Sequence, residues 1–134
     1  MTSGKGCHVT LARLRYACDQ IVHELESWPG VQVERQQVFL RTDGIPMLYI
    51  RAKTPRYYLH VEGMPKTGQV QWYAKLTESA HNKHGHKEEI IGWDNLYHER
   101  PHLHFDEDRR REYRTQPLTW SEIRDTLARL EATS

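Results

Sequence analysis

The chain predicts an α+β single domain: a mainly antiparallel meander sheet of four to six strands, with an N-terminal and a C-terminal helix packed on one face. Three observations carry that expectation. Helical periodicity marks both ends of the sequence. Between them lie short β-branched and aromatic segments separated by turn residues. The length, 134 residues, suits one hydrophobic core and is short for two ordinary domains, so residues 1–134 are read as one unit.

From Thr10 to about Trp28, the residues Leu11, Leu14, Cys18, Ile21, Leu25 and Trp28 recur at spacings of three and four, which places them on one stripe of an amphipathic helix. Pro29-Gly30 ends it, and His23 falls on its solvated side. Val31 to Arg41 reads as a strand, and Thr42-Asp43-Gly44 as a hairpin turn into Ile45 to Lys53. Pro46 there marks a strand start or an edge. Arg56 to Glu62 reads as a third strand, Met64 to Gly68 as a turn, and Gln69 to Thr77 as a fourth strand with Val70, Trp72, Ala74 and Leu76 on one face. Glu78 to Glu89 is a polar loop whose His81, His84 and His86 are read as solvated, and Ile90 to Asp94 returns to strand composition.

The last helix carries the sharpest local signal. Thr119-Trp120-Ser121-Glu122 has capping-box spacing, and Leu118 and Ile123 are placed for a hydrophobic staple. Trp120, Ile123, Leu127 and Leu130 then form one apolar face.

Composition narrows the function classes. A hydrophobic content of 37%, 28% charged residues and a mean hydropathy of -0.83 describe a polar globular protein. A formal net charge of +1 gives no overall pull toward nucleic acid or membrane, so any such attraction must come from local patches. Cys7 and Cys18 fall on one helix, too far apart to bridge, and are read as free thiols. No apolar run reaches membrane-spanning length and no signal core leads the chain, so no membrane partner and a cytoplasmic location are expected. Walker loop, dinucleotide fingerprint, nucleophile elbow and zinc-protease helix are all missing from the sequence, which disfavours nucleotide hydrolysis, hydride transfer and proteolysis.

The densest chemistry lies in Gly92-Trp93-Asp94-Asn95-Leu96-Tyr97-His98-Glu99-Arg100-Pro101-His102-Leu103-His104-Phe105-Asp106. On an extended segment His102, His104 and Asp106 project from one wet face and Leu103 and Phe105 from the other, with the polar groups about 6–7 Å apart. Such a row can bind a metal, move protons or hold a phosphate. It can also be the histidine-rich wet side of an edge strand.

The run from Trp93-Asp94-Asn95 through His98 and Pro101-His102-Leu103-His104 to a helix introduced by Pro117-Leu118-Thr119 resembles the TumE-type toxin family of prokaryotic toxin–antitoxin systems. The resemblance covers about Gly92 to Leu130, with Asp94, Asn95, His98, His102 and His104 at the corresponding positions. It implies a cytoplasmic toxin neutralised by an antitoxin protein.

Three mechanisms stay open. In the leading one the chain is a ribonuclease-like toxin that needs no cofactor: His98, His102, His104 and Asp94 form the catalytic group acting on RNA, which requires one proton removed and one donated. Asn95, Trp93, Arg100, Arg109 and Arg111 would then bind substrate, with Arg110 and Arg114 as further phosphate contacts. Tyr57, Tyr58, Trp72, Tyr73, Trp93 and Tyr97 offer stacking surfaces where exposed. The arginines alternate with Glu107, Asp108 and Glu112, so a solvated mixed-charge turn competes with a phosphate clamp. The second mechanism is a metal-dependent hydrolase, with zinc or iron on His102, His104 and Asp106 and with Asp94 or His98 able to complete the shell. The third is a non-catalytic module that binds protein or nucleic acid, and a homodimer is compatible with any of the three.

Overall fold

The computed structural model describes residues 11–66, 68–78, 89–95, 100–105 and 110–133. His98, Asp106, Arg109, Tyr97, Cys7 and the loop histidines His81, His84 and His86 therefore lie outside the described residues.

The element order is α1 (Leu11–Glu26), β1 (Gln32–Leu40), β2 (Pro46–Lys53), β3 (Tyr58–Lys66), β4 (Gln69–Thr77), β5 (Glu89–Asp94), β6 (His102–Phe105), β7 (Arg110–Tyr113) and α2 (Trp120–Ala132). All seven strands form one sheet in sequence order, every neighbour antiparallel. The α+β meander with terminal helices is thus as the sequence indicates, with one strand more than its upper count.

Helix α1 buries Leu14, Cys18, Ile21, Val22 and Leu25, the stripe set by their spacing. Leu11, expected in that stripe, is the first residue of the helix and is 37% exposed. Trp28 is buried just past the helix and its indole N–H donates to the Glu24 carboxylate at 2.8 Å. Helix α2 begins at the capping box as expected: the Thr119 side chain accepts from the Glu122 amide, and the Glu122 carboxylate accepts from the Thr119 amide. Leu118 and Ile123 are both buried beside it.

The third strand runs further than its composition suggests. Met64 and Pro65 belong to β3, and Pro65 pairs with Val70. The pairing of β2 with β3 stops at Leu48 opposite Gly63, so Pro65 lies where β3 has β4 alone as neighbour and its missing N–H costs no ladder bond. Strand β7 was hidden by its composition. Arg110-Arg111-Glu112-Tyr113 is largely exposed and looks like a charged turn, yet an edge strand needs no apolar face to pair.

One face of the sheet carries the core. Leu48, Ile50, Leu59, Leu76, Trp93 and Leu103 meet Leu14, Leu25, Ile123 and Leu127 from the two helices. Helix α1 lies across β1 and β2. Helix α2 stacks Trp120 on Trp72 with ring centroids 4.2 Å apart. At its far end the Glu131 carboxylate accepts the Arg56 amide at 3.2 Å, and the Leu130 carbonyl accepts the Arg56 guanidinium, also at 3.2 Å.

Candidate metal centre

The opposite face is polar, and its cross-strand register defines two neighbouring rows. One reads Tyr49, Glu62, Tyr73, Asp94, His102, Tyr113 from β2 to β7. The other reads Arg35, Arg51, His60, Lys75, Gly92, His104, Arg111 from β1 to β7. Asp94 and His102 thus face each other directly, with His104 two residues along β6 on the same side.

Three side chains converge there. The ligand atoms of Asp94, His102 and His104 all lie within 4.8 Å of one another. Asp94 is 4% and His102 3% exposed, while His104 is half-buried and forms the accessible side of the group. The wet face expected for His102 is therefore corrected: His102 is buried, with the Tyr113 and His104 rings beside it and its Nδ1 against the Arg100 carbonyl, and Leu103 is buried on the other face. The Tyr113 ring lies 5.1 Å from the His102 ring, and the Arg100 guanidinium lies 5.2 Å from the Tyr113 ring on which it packs.

Gly92 makes room for the arrangement. A Cβ at Gly92 would fall 2.4 Å from Cε1 and 2.7 Å from Nε2 of His104, so the imidazole lies across the bare backbone of β5. From there its ring centroid is 5.7 Å from that of His102 and 5.6 Å from that of Tyr73.

The protonation pattern of His102 follows from its partners. Its Nδ1 lies 3.0 Å from the Arg100 carbonyl oxygen, which can only accept, so Nδ1 carries a proton. In the neutral ring Nε2 then presents a lone pair, and Nε2 faces Oδ2 of Asp94 at 3.7 Å. A metal ion placed between them would accept electron pairs from both atoms. A histidine whose Nδ1–H is fixed by a backbone carbonyl and whose Nε2 points at a carboxylate has the orientation of a metal ligand with its supporting hydrogen bond in place.

The remaining expected site residues are placed as follows. Trp93 is fully buried on the helix-covered face, with its indole N–H lacking a partner among the described residues, so it offers no stacking surface for substrate. Asn95 uses both ends of its amide on one residue: its NH₂ donates to the Leu118 carbonyl at 2.9 Å and its carbonyl accepts the Leu118 amide at 2.9 Å. That pairs the segment before α2 with the end of β5, and it occupies the groups that substrate binding would need. Arg111 is exposed beside His104 in the register, and Arg100 is exposed above Tyr113. Arg110 packs over Phe105, and Arg114 pairs with Glu122 at 2.8 Å. Of the expected stacking residues, Tyr57 and Tyr73 are buried.

His60 carries a second buried polar group that the sequence reading passed over. The Tyr49 hydroxyl lies 2.8 Å from its Nδ1 and the Thr77 hydroxyl 3.0 Å from its Nε2. Burial raises the Tyr49 phenol above its usual value, which keeps it a hydrogen-bond donor. The segment from Arg56 to Glu62 reads as a strand from its composition, but nothing local marks His60 as buried.

No protein-family model, curated protein or solved structure matches the chain.

Proposed function

We propose that the protein is a metal-dependent hydrolase whose transition-metal ion is held by Asp94, His102 and His104. The carrying observation is the pair of facing acceptors, Nε2 of His102 and Oδ2 of Asp94, buried at 3.7 Å beside a third ligand-bearing ring. A metal held by these three side chains would leave a position open to water on the accessible His104 side, and would lower the pKa of that water toward about 7. Two imidazoles and one carboxylate suit zinc or ferrous iron.

The same three residues also support a metal-free reading. A buried Asp94–His102 pair beside a half-buried His104 is the equipment for taking one proton and giving another, as cleavage of RNA requires. The role of a toxin held by an antitoxin protein draws on the sequence resemblance, and it predicts growth arrest on induction.

Cobalt(II) titration of tag-free protein separates the two. The metal reading expects one equivalent bound with tetrahedral-type visible absorption, and stabilisation by about 2.7 kcal/mol at a hundredfold excess over Kd. Asp94→Asn and His104→Gln should each weaken binding at least tenfold, with His104→Gln leaving the fold intact. Absence of binding, with hydrolysis that survives a chelator, overturns the metal and leaves acid–base chemistry.

A further inference from the structure

The row that contains His104 is also a line of positive charge. Arg35, Arg51, Lys75 and Arg111 stand in register on β1, β2, β4 and β7, with His60 and His104 between them. Six inter-strand steps of about 4.8 Å carry this line across roughly 29 Å. Arg35 and Arg111 at its two ends are exposed, and Arg51 and Lys75 are half-buried. The formal charge of the whole chain is only +1, so the row is a local concentration. The nearby carboxylates are Glu34, which pairs with Arg51 at 3.3 Å, Glu62 in the neighbouring row, and Asp94 of the metal centre.

Building on the hydrolase reading, we infer that the substrate is a single-stranded nucleic acid laid across the strands along Arg35, Arg51, Lys75 and Arg111, with one phosphodiester at His104. A lone phosphate calls for donors that converge on one point. These four cations are instead spread along a line, which matches a ligand whose charge repeats along its length. His104 interrupts the line between Lys75 and Arg111, so a backbone following the cations passes over the metal centre. In the middle of the face His60, Tyr73, Asp94 and His102 are buried, so the contacts left to a ligand are those of the four cations and His104. A flexible single strand can bring successive phosphates to cations spread over a twisted sheet, whereas a duplex is a stiff rod. Tyr49 and Tyr113 in the adjacent row are already engaged, by His60 and by His102 with Arg100, so charge carries the affinity and base preference is slight.

The test is binding of fluorescein-labelled dodecamers of uridylate and of thymidylate, followed by anisotropy across a salt series in the presence of chelator. Chelator keeps the result independent of the hydrolase reading, since binding without metal addresses the row alone. Both oligomers should bind, with a log K against log salt slope of about -2 to -3 for three to four phosphate contacts. Arg35→Gln and Arg111→Gln, both at exposed positions, should each flatten the slope by about 0.7, and Lys75→Gln likewise. Arg124→Gln, on the helix side, should leave it unchanged. His104→Gln, which removes no fixed cation, should leave the slope unchanged under the same conditions. Slopes unaffected by the row variants, equal or tighter binding of a duplex of the same length, or no binding at low salt would each overturn the inference.

Discussion

The two faces of the sheet come from the same strands by the same alternation, and both are buried at the centre, yet burial demands different things of them. On the helix-covered face Leu48, Ile50, Leu59 and Leu76 are stabilised by contact that has no direction, and another apolar side chain of similar volume serves nearly as well. On the polar face His60 is held by Tyr49 and Thr77, and His102 by the Arg100 carbonyl with Asp94 across from its Nε2. A buried polar group without its named partner costs free energy, so this face is specified residue by residue. The contrast teaches that burial alone does not separate scaffold from site; what each buried atom requires of its neighbours does.

The largest expected effect is on the apolar face. Trp93→Ala should lower the unfolding free energy by about 3–5 kcal/mol in a denaturant titration. A loss below about 1 kcal/mol would erase the distinction, because the central aromatic of the core would then matter no more than a surface residue. Next comes the seam between β5 and α2. Asn95→Ala strands the amide and carbonyl of buried Leu118 and should cost about 1–3 kcal/mol, with earlier exchange of the Leu118 amide as its local signature. Retained protection at Leu118 would show that the bridge does not hold that segment.

Gly92→Ala sharpens the comparison most directly, since it touches the polar face and adds only one methyl group. The new Cβ drives the His104 ring off β5 and should reduce cobalt affinity about tenfold, equivalent to 1.4 kcal/mol, with a stability change of about 1 kcal/mol. Undiminished affinity would mean that His104 does not bind from its place over Gly92. The smallest effect lies outside both faces, in the turn between β1 and β2. Hydrogen bonds from Arg41 and from the Ile45 amide pull the Asp43 carboxyl from 3.8 down to about 2. A lowered folded-state pKa stabilises above the unfolded value and is lost as pH falls through the folded one. Asp43→Asn should therefore lower neutral-pH stability slightly and flatten its decline between about pH 4 and 2, so that the two proteins converge at the acid end. An unchanged acid limb would remove that contribution.

The elements that the sequence made legible were those whose signals are local. The capping box at Thr119 and Glu122, the stripe of α1 and the alternation of β4 depend on neighbours a few residues away. Strand β7 escaped because an edge strand pairs through its backbone, which composition does not record. The site was half legible. Clustering picked out His102 and His104, and Asp94 was among the carboxylates able to join them. Its position directly opposite His102 is a property of register, which no local pattern fixes. The burial of His102, the roles of Asn95 and Trp93 and the pairing of His60 depend on which strands lie side by side.

Strand order equal to chain order has a kinetic meaning. Each strand meets its partner across a short stretch of chain, so the sheet can grow one hairpin at a time with little loop-closure entropy at any step. Asp94, His102 and His104 fall within a single hairpin, while α2 reaches back over 75 residues for its bond to Arg56. The contacts that orient these three side chains are therefore among the cheapest to close, and the helix that seals the core is among the most expensive. Weakening the distant clasp of α2 should slow the final consolidation of the molecule without scrambling the hairpin that holds the histidines.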